Sequence, residues 1–140
     1  MPSTKEEFLT KLNKALEWEY ASAIQYIQHS AVITGAEYDS ISKELVVHSN
    51  EEMAHAVLVA TAISDLGGVP TIEVEKRNIS DDSKTMLEQD LEGEEIAIKL
   101  YKELIVIAEE QKEYGVRRVM EDILMQEEEH RRDIMNSLGK

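Results

Sequence analysis

Cysteine is absent from this chain. That excludes disulfides, thiolate metal sites, iron–sulfur clusters and a cysteine nucleophile. Turn formers and aromatics are scarce: two prolines, six glycines, one Phe, one Trp and five Tyr in 140 residues. This composition disfavours turn-rich β architecture and favours helices. Basic residues are also few, 15 against 29 acidic, for a net charge of −14. A net charge of this sign disfavours a bulk electrostatic grip on nucleic acid or on an anionic membrane, while attraction of cations is natural. Long apolar runs are missing. No aliphatic stretch is longer than Leu104 to Ala108, which is far too short to cross a bilayer. Met1 to Ala15 holds Glu6 and Glu7 and no continuous apolar segment, so it does not read as a signal peptide. A cytoplasmic protein is expected, with no membrane and no nucleic-acid partner.

What is present is 42% apolar residues, enough for a real core in one domain over residues 1–140. Apolar periodicity predicts an all-α protein of four long helices. The first begins near Thr4, which fits a capping box with Glu7. Its inward stripe is Phe8, Leu12, Ala15, Leu16, Glu19, Ala23, Tyr26 and Ile33, and it ends near Gly35. The second starts at Asp39 or Ser40, carries Ile41, Leu45, His48, Glu52, His55, Val59, Ala62 and Leu66, and stops at Gly67-Gly68. The third follows Ser80-Asp81-Asp82 and carries Leu87, Leu91, Glu94, Ala97, Ile98, Tyr101, Leu104 and Ile105. After a break near Tyr114-Gly115, the fourth carries Val116, Met120, Ile123, Leu124, Glu127, His130, Ile134 and Leu138.

Between Gly67 and Ser80 the pattern alternates like an extended chain. Fourteen extended residues reach roughly 45–50 Å. A helix of about 27 residues is roughly 40 Å long. The linker can therefore run the length of a bundle. Two antiparallel hairpins joined by this long crossover are expected.

The sequence also repeats itself. A shift of 75 places Leu12 on Leu87, Leu16 on Leu91, Glu19 on Glu94, Tyr26 on Tyr101, Glu52 on Glu127 and His55 on His130. The two hairpins should thus be related by a pseudo-twofold axis. Six polar residues then fall on inward stripes: Glu19, Glu52, His55, Glu94, Glu127 and His130. Buried unpaired carboxylates cost several kcal/mol each. Residues three apart share a helix face, so each Glu-x-x-His pair aims at one point. Carboxylates with imidazoles suit iron or manganese, and four negative charges balance two divalent cations. A single Glu-x-x-His on an acidic helix is ordinary solvated surface. Two copies at equal offsets from two further inward glutamates are not.

These residues resemble the ferritin-like superfamily, and within it the bacterioferritins. The matching stretches are Glu19 through Tyr26, Glu52-Met53-Ala54-His55, Asp90 through Glu94, and Glu127-Glu128-Glu129-His130. The resemblance implies that Glu19 and His55 bind one iron, Glu94 and His130 the other, and that Glu52 and Glu127 bridge them. It implies a ferroxidase, oxidising Fe(II) with O2 or H2O2, that serves iron storage and detoxification. Rubrerythrins are similar but add a Glu where Ala97 stands, and animal-type ferritins lack the counterpart of His130. A rubrerythrin-like di-metal peroxidase or oxidase without storage is the competing reading.

Other residues follow from the same comparison. Met53 sits about 100° round the helix from Glu52, in an off-core stripe with Val46, Ser49, Val57, Ala60 and Ser64. A matching stripe on the first helix holds Tyr20, Ile24, Ile27 and Ala31. Two such faces predict a subunit interface. By the resemblance, Met53 would ligate haem across a twofold axis; otherwise it is an interface methionine. Tyr26 and Asp90 are expected behind the ligands, Asp90 orienting a ligand histidine. Tyr101 reads as a core tyrosine, His48 as a packed histidine near the site, and His29 and Glu109-Glu110 as solvated surface. The fifth helix of a typical bacterioferritin has no counterpart before Lys140. A homo-oligomer built from dimers is expected, as a cage of 12 rather than 24.

Overall fold

The computed structural model describes residues 2–140. Four long helices account for most of them: α1 (Lys5–Val32), α2 (Asp39–Asp65), α3 (Ser83–Glu110) and α4 (Tyr114–Ser137). There is no strand among the described residues. The fold is the expected all-α bundle.

Each boundary has a local cause. Thr4 and Glu7 form the capping box that opens α1. Asp82 caps α3 by accepting from the Thr85 N–H. α1 stops at Val32, three residues before Gly35, whose φ of 115° lets the chain reverse through the turn Ala36–Tyr38. α4 begins at Tyr114, so Gly115 lies inside it; the break falls at Gln111 to Glu113, where Lys112 takes φ 58°.

The hairpins α1–α2 and α3–α4 pack side by side, with α1 against α3 and α2 against α4. Lys11 of early α1 pairs with Glu103 of late α3, so these helices run antiparallel. The crossover lies along α1. Gly68 presses on Leu9, and a Cβ there would come within 2.9 Å of its Cδ2. Further on, Asn13 bonds Val69 O, Tyr20 Oη donates to Thr71 O, Glu75 N donates to Glu17 O, and Arg77 Nε donates to Gln25 Oε1. Ser83 finally donates to Thr34 O at the far end of α1.

The core is split. One apolar cluster holds Phe8, Leu12, Leu16, Val59, Ile63, Tyr101, Leu104, Met120 and Ile123. The other holds Tyr26, Ile41, Leu45, Leu87, Leu91 and Ile134. Burial of each large aliphatic or aromatic side chain stabilises by about 1.5–3 kcal/mol. The six polar residues of the inward stripes lie between these clusters along every helix. Ile33, Ile105, Val116, Leu124 and Leu138 are only half-buried, at the margins of the stripes.

Candidate metal centre

Glu19, Glu52, His55, Glu94, Glu127 and His130 are all buried and converge in the polar layer. Two groups share the middle pair. Donor atoms of Glu19, Glu52, His55 and Glu127 lie within 4.8 Å of one another, as do those of Glu52, Glu94, Glu127 and His130. His55 Nδ1 stands 3.2 Å from Glu127 Oε1 and 3.5 Å from both Glu19 Oε2 and Glu52 Oε1. His130 Nδ1 stands 3.0 Å from Glu52 Oε1 and 3.4 Å from both Glu94 Oε1 and Glu127 Oε1.

The hydrogen bonding separates inner from outer atoms. Glu19 Oε1 accepts from Tyr101 Oη, and Glu94 Oε1 from Tyr26 Oη, each at 2.6 Å. His55 Nε2 meets Gln126 Oε1, and His130 Nε2 lies 3.4 Å from Glu51 Oε1. The remaining atoms have no hydrogen-bond partner: Glu19 Oε2, Glu94 Oε2, both histidine Nδ1 atoms, and both oxygens of Glu52 and of Glu127. Eight buried polar atoms left unsatisfied around one point would be costly in a core with no further role. Their chemistry, six oxygens and two nitrogens, fits two hard or borderline divalent cations. Glu19 and Glu94 each offer one free oxygen; Glu52 and Glu127 each offer two and can span a pair.

Protons occupy this layer when it holds no cation. Burial and repulsion from Glu127 push Glu94 up to about 8. Burial, then repulsion from Glu127 and Glu19, raises Glu52 far above its ordinary range. Glu127 goes the other way: burial opposes ionisation, but contacts with Glu52, His130 and His55 outweigh it and hold Glu127 charged. Burial disfavours charge on both imidazoles too. Contacts with Glu127 and Glu94 overcome it and raise His130 to about 11, and His55 is raised by Glu127, Glu19 and Glu52. Cations binding here must displace these protons.

Several expectations change. His29 is not solvated surface: it is fully buried, and its Nδ1 lies 2.9 Å from both carboxylate oxygens of Asp90. Asp90 therefore holds His29, not one of the six-residue cluster's histidines. Burial raises the Asp90 carboxyl, and His29 partly counters it. Tyr101 is the expected core tyrosine, with its hydroxyl satisfied by Glu19. Gln126 carries no signal of its own in the sequence, but the repeat makes it the counterpart of Glu51: it precedes Glu127 as Glu51 precedes Glu52. His48 is buried, stacks on His130 at 4.1 Å between ring centroids, and is pushed down to about 4 by burial and by that neighbour.

Met53 is 48% exposed on the outer face, in a shallow groove of about 250 Å3 with Tyr20, Ile24, Ile72 and Val74. Ile24, Ile27, Val46 and Val57 are exposed on the same two helices. Ser49 is not part of that face; it is buried and donates to Ala23 O across the α1–α2 seam. No helix among the described residues is long and apolar enough to cross a membrane.

Residues 9–140 match the ferritin family, described as a ferritin-like domain. The chain belongs to this family. It is similar to the bacterioferritin of Brucella melitensis, 31% identical over 123 residues, covering 87% of this chain and 76% of that protein. The Desulfovibrio desulfuricans bacterioferritin is 26% identical over 127 residues, covering 90% of this chain and 71% of that protein. A Nostoc protein named as a nutrient stress-induced DNA-binding protein is 30% identical over 139 residues, covering 92% and 76%. Among solved structures, a ferritin-like diiron-carboxylate protein from Bacillus anthracis superposes with a TM-score of 0.92 at 25% identity, covering 99% of both chains. The dodecameric thioferritin of Bacteroides fragilis, a bacterioferritin-related protein, superposes with a TM-score of 0.89 at 29% identity, covering 97% of this chain and 86% of that one. The bundle is thus a ferritin-like bundle of four helices, and its buried carboxylate and histidine layer is a candidate metal site.

Proposed function

We propose that this protein is a ferroxidase that oxidises Fe(II) to Fe(III) at the buried layer, for iron storage and detoxification. One observation carries the reading: the eight unpartnered donor atoms of Glu19, Glu52, His55, Glu94, Glu127 and His130 face one another in the buried middle of the bundle. In this reading Glu19 and His55 hold one Fe(II), Glu94 and His130 the other, and Glu52 and Glu127 span both. Two Fe(II) supply two electrons. O2 takes them with two protons to become H2O2; H2O2 takes them with two protons to become two waters. The carboxylates neutralise charge, Tyr26 and Tyr101 fix the terminal carboxylates, and the apolar clusters at either end exclude water. The net charge of −14 favours a cationic substrate and opposes nucleic acid.

The test is anaerobic Fe(II) titration followed by oxidant on a sample of known native mass. Two Fe(II) bound per chain and oxidised, with both lost in Glu127→Ala, is the expected result. No bound iron ends the reading. Oxidation with no mineral at high loading favours a di-metal peroxidase or oxidase instead.

The apolar outer face of α1 and α2 supports assembly of this chain as dimers, and the dodecameric neighbour supports a cage of 12. Met53 would hold a haem at that interface: its thioether would supply a ligand to the iron, and Tyr20, Ile24, Ile72 and Val74 would give the ring an apolar wall. A Soret band that Met53→Leu abolishes would establish this. A protein that stays colourless after haem addition would refute it.

A further inference from the structure

The internal repeat allows each polar group to be compared with its counterpart in the other half. Three side chains break the symmetry together. Glu44 and His48 of α2 and Asp133 of α4 bring donor atoms within 4.8 Å of one another. Their counterparts at a shift of 75 are Val119, Ile123 and Leu58, all hydrocarbon. Only Ile123 of these is packed in the core, while Val119 is half-buried and Leu58 exposed, so the same backbone frame does not require the polar set.

Its arrangement is graded from solvent inward. Glu44 is exposed, the Asp133 side chain is 44% exposed, and His48 is buried. His48 Nε2 lies 3.2 Å from Asp133 Oδ2, while His48 Nδ1 is buried without a partner. Nε2 is thus the nitrogen that faces the carboxylates, and Nδ1 is a buried acceptor left open on the other edge of the ring. Behind it, the His48 ring stacks on His130 at 4.1 Å with the planes 22° apart. The trio thus touches the metal centre from one side only, that of Glu94 and His130. On the opposite side the equivalent path is blocked by Ile123 in the apolar cluster.

We infer that Glu44, His48 and Asp133 form a third divalent-cation site, through which cations reach and leave the Glu94–His130 half of the centre. The donor set, two carboxylates and one imidazole, matches the chemistry of the inner site and so accepts the same ions. Being half-open, it keeps coordination positions for water and exchanges faster than the buried pair. The inference rests on the proposed di-metal reading for its destination, but the site itself can be measured separately.

Co(II) titrated anaerobically is the probe, because it binds such donors without being oxidised by the protein's substrate chemistry. The variants are Asp133→Asn and Glu44→Gln, alone and together, at positions open enough to leave folding intact; far-ultraviolet circular dichroism checks this. The double variant is expected to bind one Co(II) fewer per chain than the parent. It should also fill the remaining sites at least tenfold more slowly in stopped flow. Crystals grown with Co(II) should show an anomalous peak among Glu44, His48 and Asp133. Equal stoichiometry in parent and double variant, with no peak there, overturns the third site while leaving the buried pair standing. A parent that loses its only Co(II) in the double variant overturns the di-metal reading instead. Loss of the third Co(II) with unchanged filling rate overturns the route and keeps the site.

Discussion

The Tyr26 hydroxyl on α1 donates to Glu94 on α3 at 2.6 Å, and its repeat mate Tyr101 on α3 donates back to Glu19 on α1 at the same distance. Each half of the molecule thus clamps a carboxylate of the other. Removing one clamp should expose the dependence. Tyr26→Phe leaves Glu94 Oε1 without its buried donor, a cost of about 1–3 kcal/mol. The affinity for one cation should fall by about 10–100-fold and that for the other should stay near parent level. Tyr101→Phe should do the converse. Co(II) titration with thermal unfolding of both variants checks the pairing.

Glu51 and Gln126 supply the outer contacts to His130 and His55 respectively. A carboxylate raises imidazole basicity more than an amide does. Glu51→Gln should therefore weaken cation binding at the His130 side by about tenfold. Gln126→Glu should strengthen the His55 side. Two-site fits of Co(II) spectra would reveal the changes; equal effects on both sites would contradict the assignment.

Acidity sets the strength of the empty centre. Glu94 is raised to about 8 and His130 to about 11, so both bind protons more readily in the folded chain than in the unfolded one. Stability from such groups is full below their unfolded values and is lost as pH rises toward the folded ones. The metal-free protein should therefore melt lower at pH 8.5 than at pH 6. Cation binding displaces protons, so affinity should rise across the same range, about tenfold per pH unit for each proton released. Calorimetry at several pH values, with and without Co(II), tests both slopes.

His29 and Asp90 offer a cleaner test of the repeat. Their counterparts are Leu104 and Ala15, both buried. His29→Leu alone strands a buried carboxylate and should destabilise by about 3–5 kcal/mol. Adding Asp90→Ala copies the other half and should recover most of that loss. Urea unfolding of the two singles and the double completes the cycle. A double variant as weak as its worse parent would show that the halves are not interchangeable here.

Val57 is among the most exposed apolar residues of the helices. Val57→Glu places like charges against each other if α1 and α2 cover a second copy. Native mass should fall to a single chain without loss of helicity.

Much of this architecture was legible from residue order. Stripes at helical spacing located all four helices, and the 75-residue shift related the hairpins before any contact was known. Six polar residues inside apolar stripes could only be explained by convergence, and they do converge. Other features depend on registry between helices, which spacing along one helix does not report. His29 reads as surface because its partner, Asp90, lies 61 positions away on α3. Ser49 reads as outer face because its partner is a backbone carbonyl on α1. The crossover's seat on α1 arises from scattered hydrogen bonds of Asn13, Tyr20 and Gln25, none of which forms a pattern in sequence.

The polar layer between the two apolar clusters has a cellular consequence under the proposed reading. Ions that fill it bind the native chain and not the unfolded one, so they shift the population toward the native state by mass action. Chains made during iron starvation would spend more time open to proteases than chains made in plenty. The abundance of this protein would then track the supply of its own cargo, with no regulator needed beyond four carboxylates that dislike being left alone.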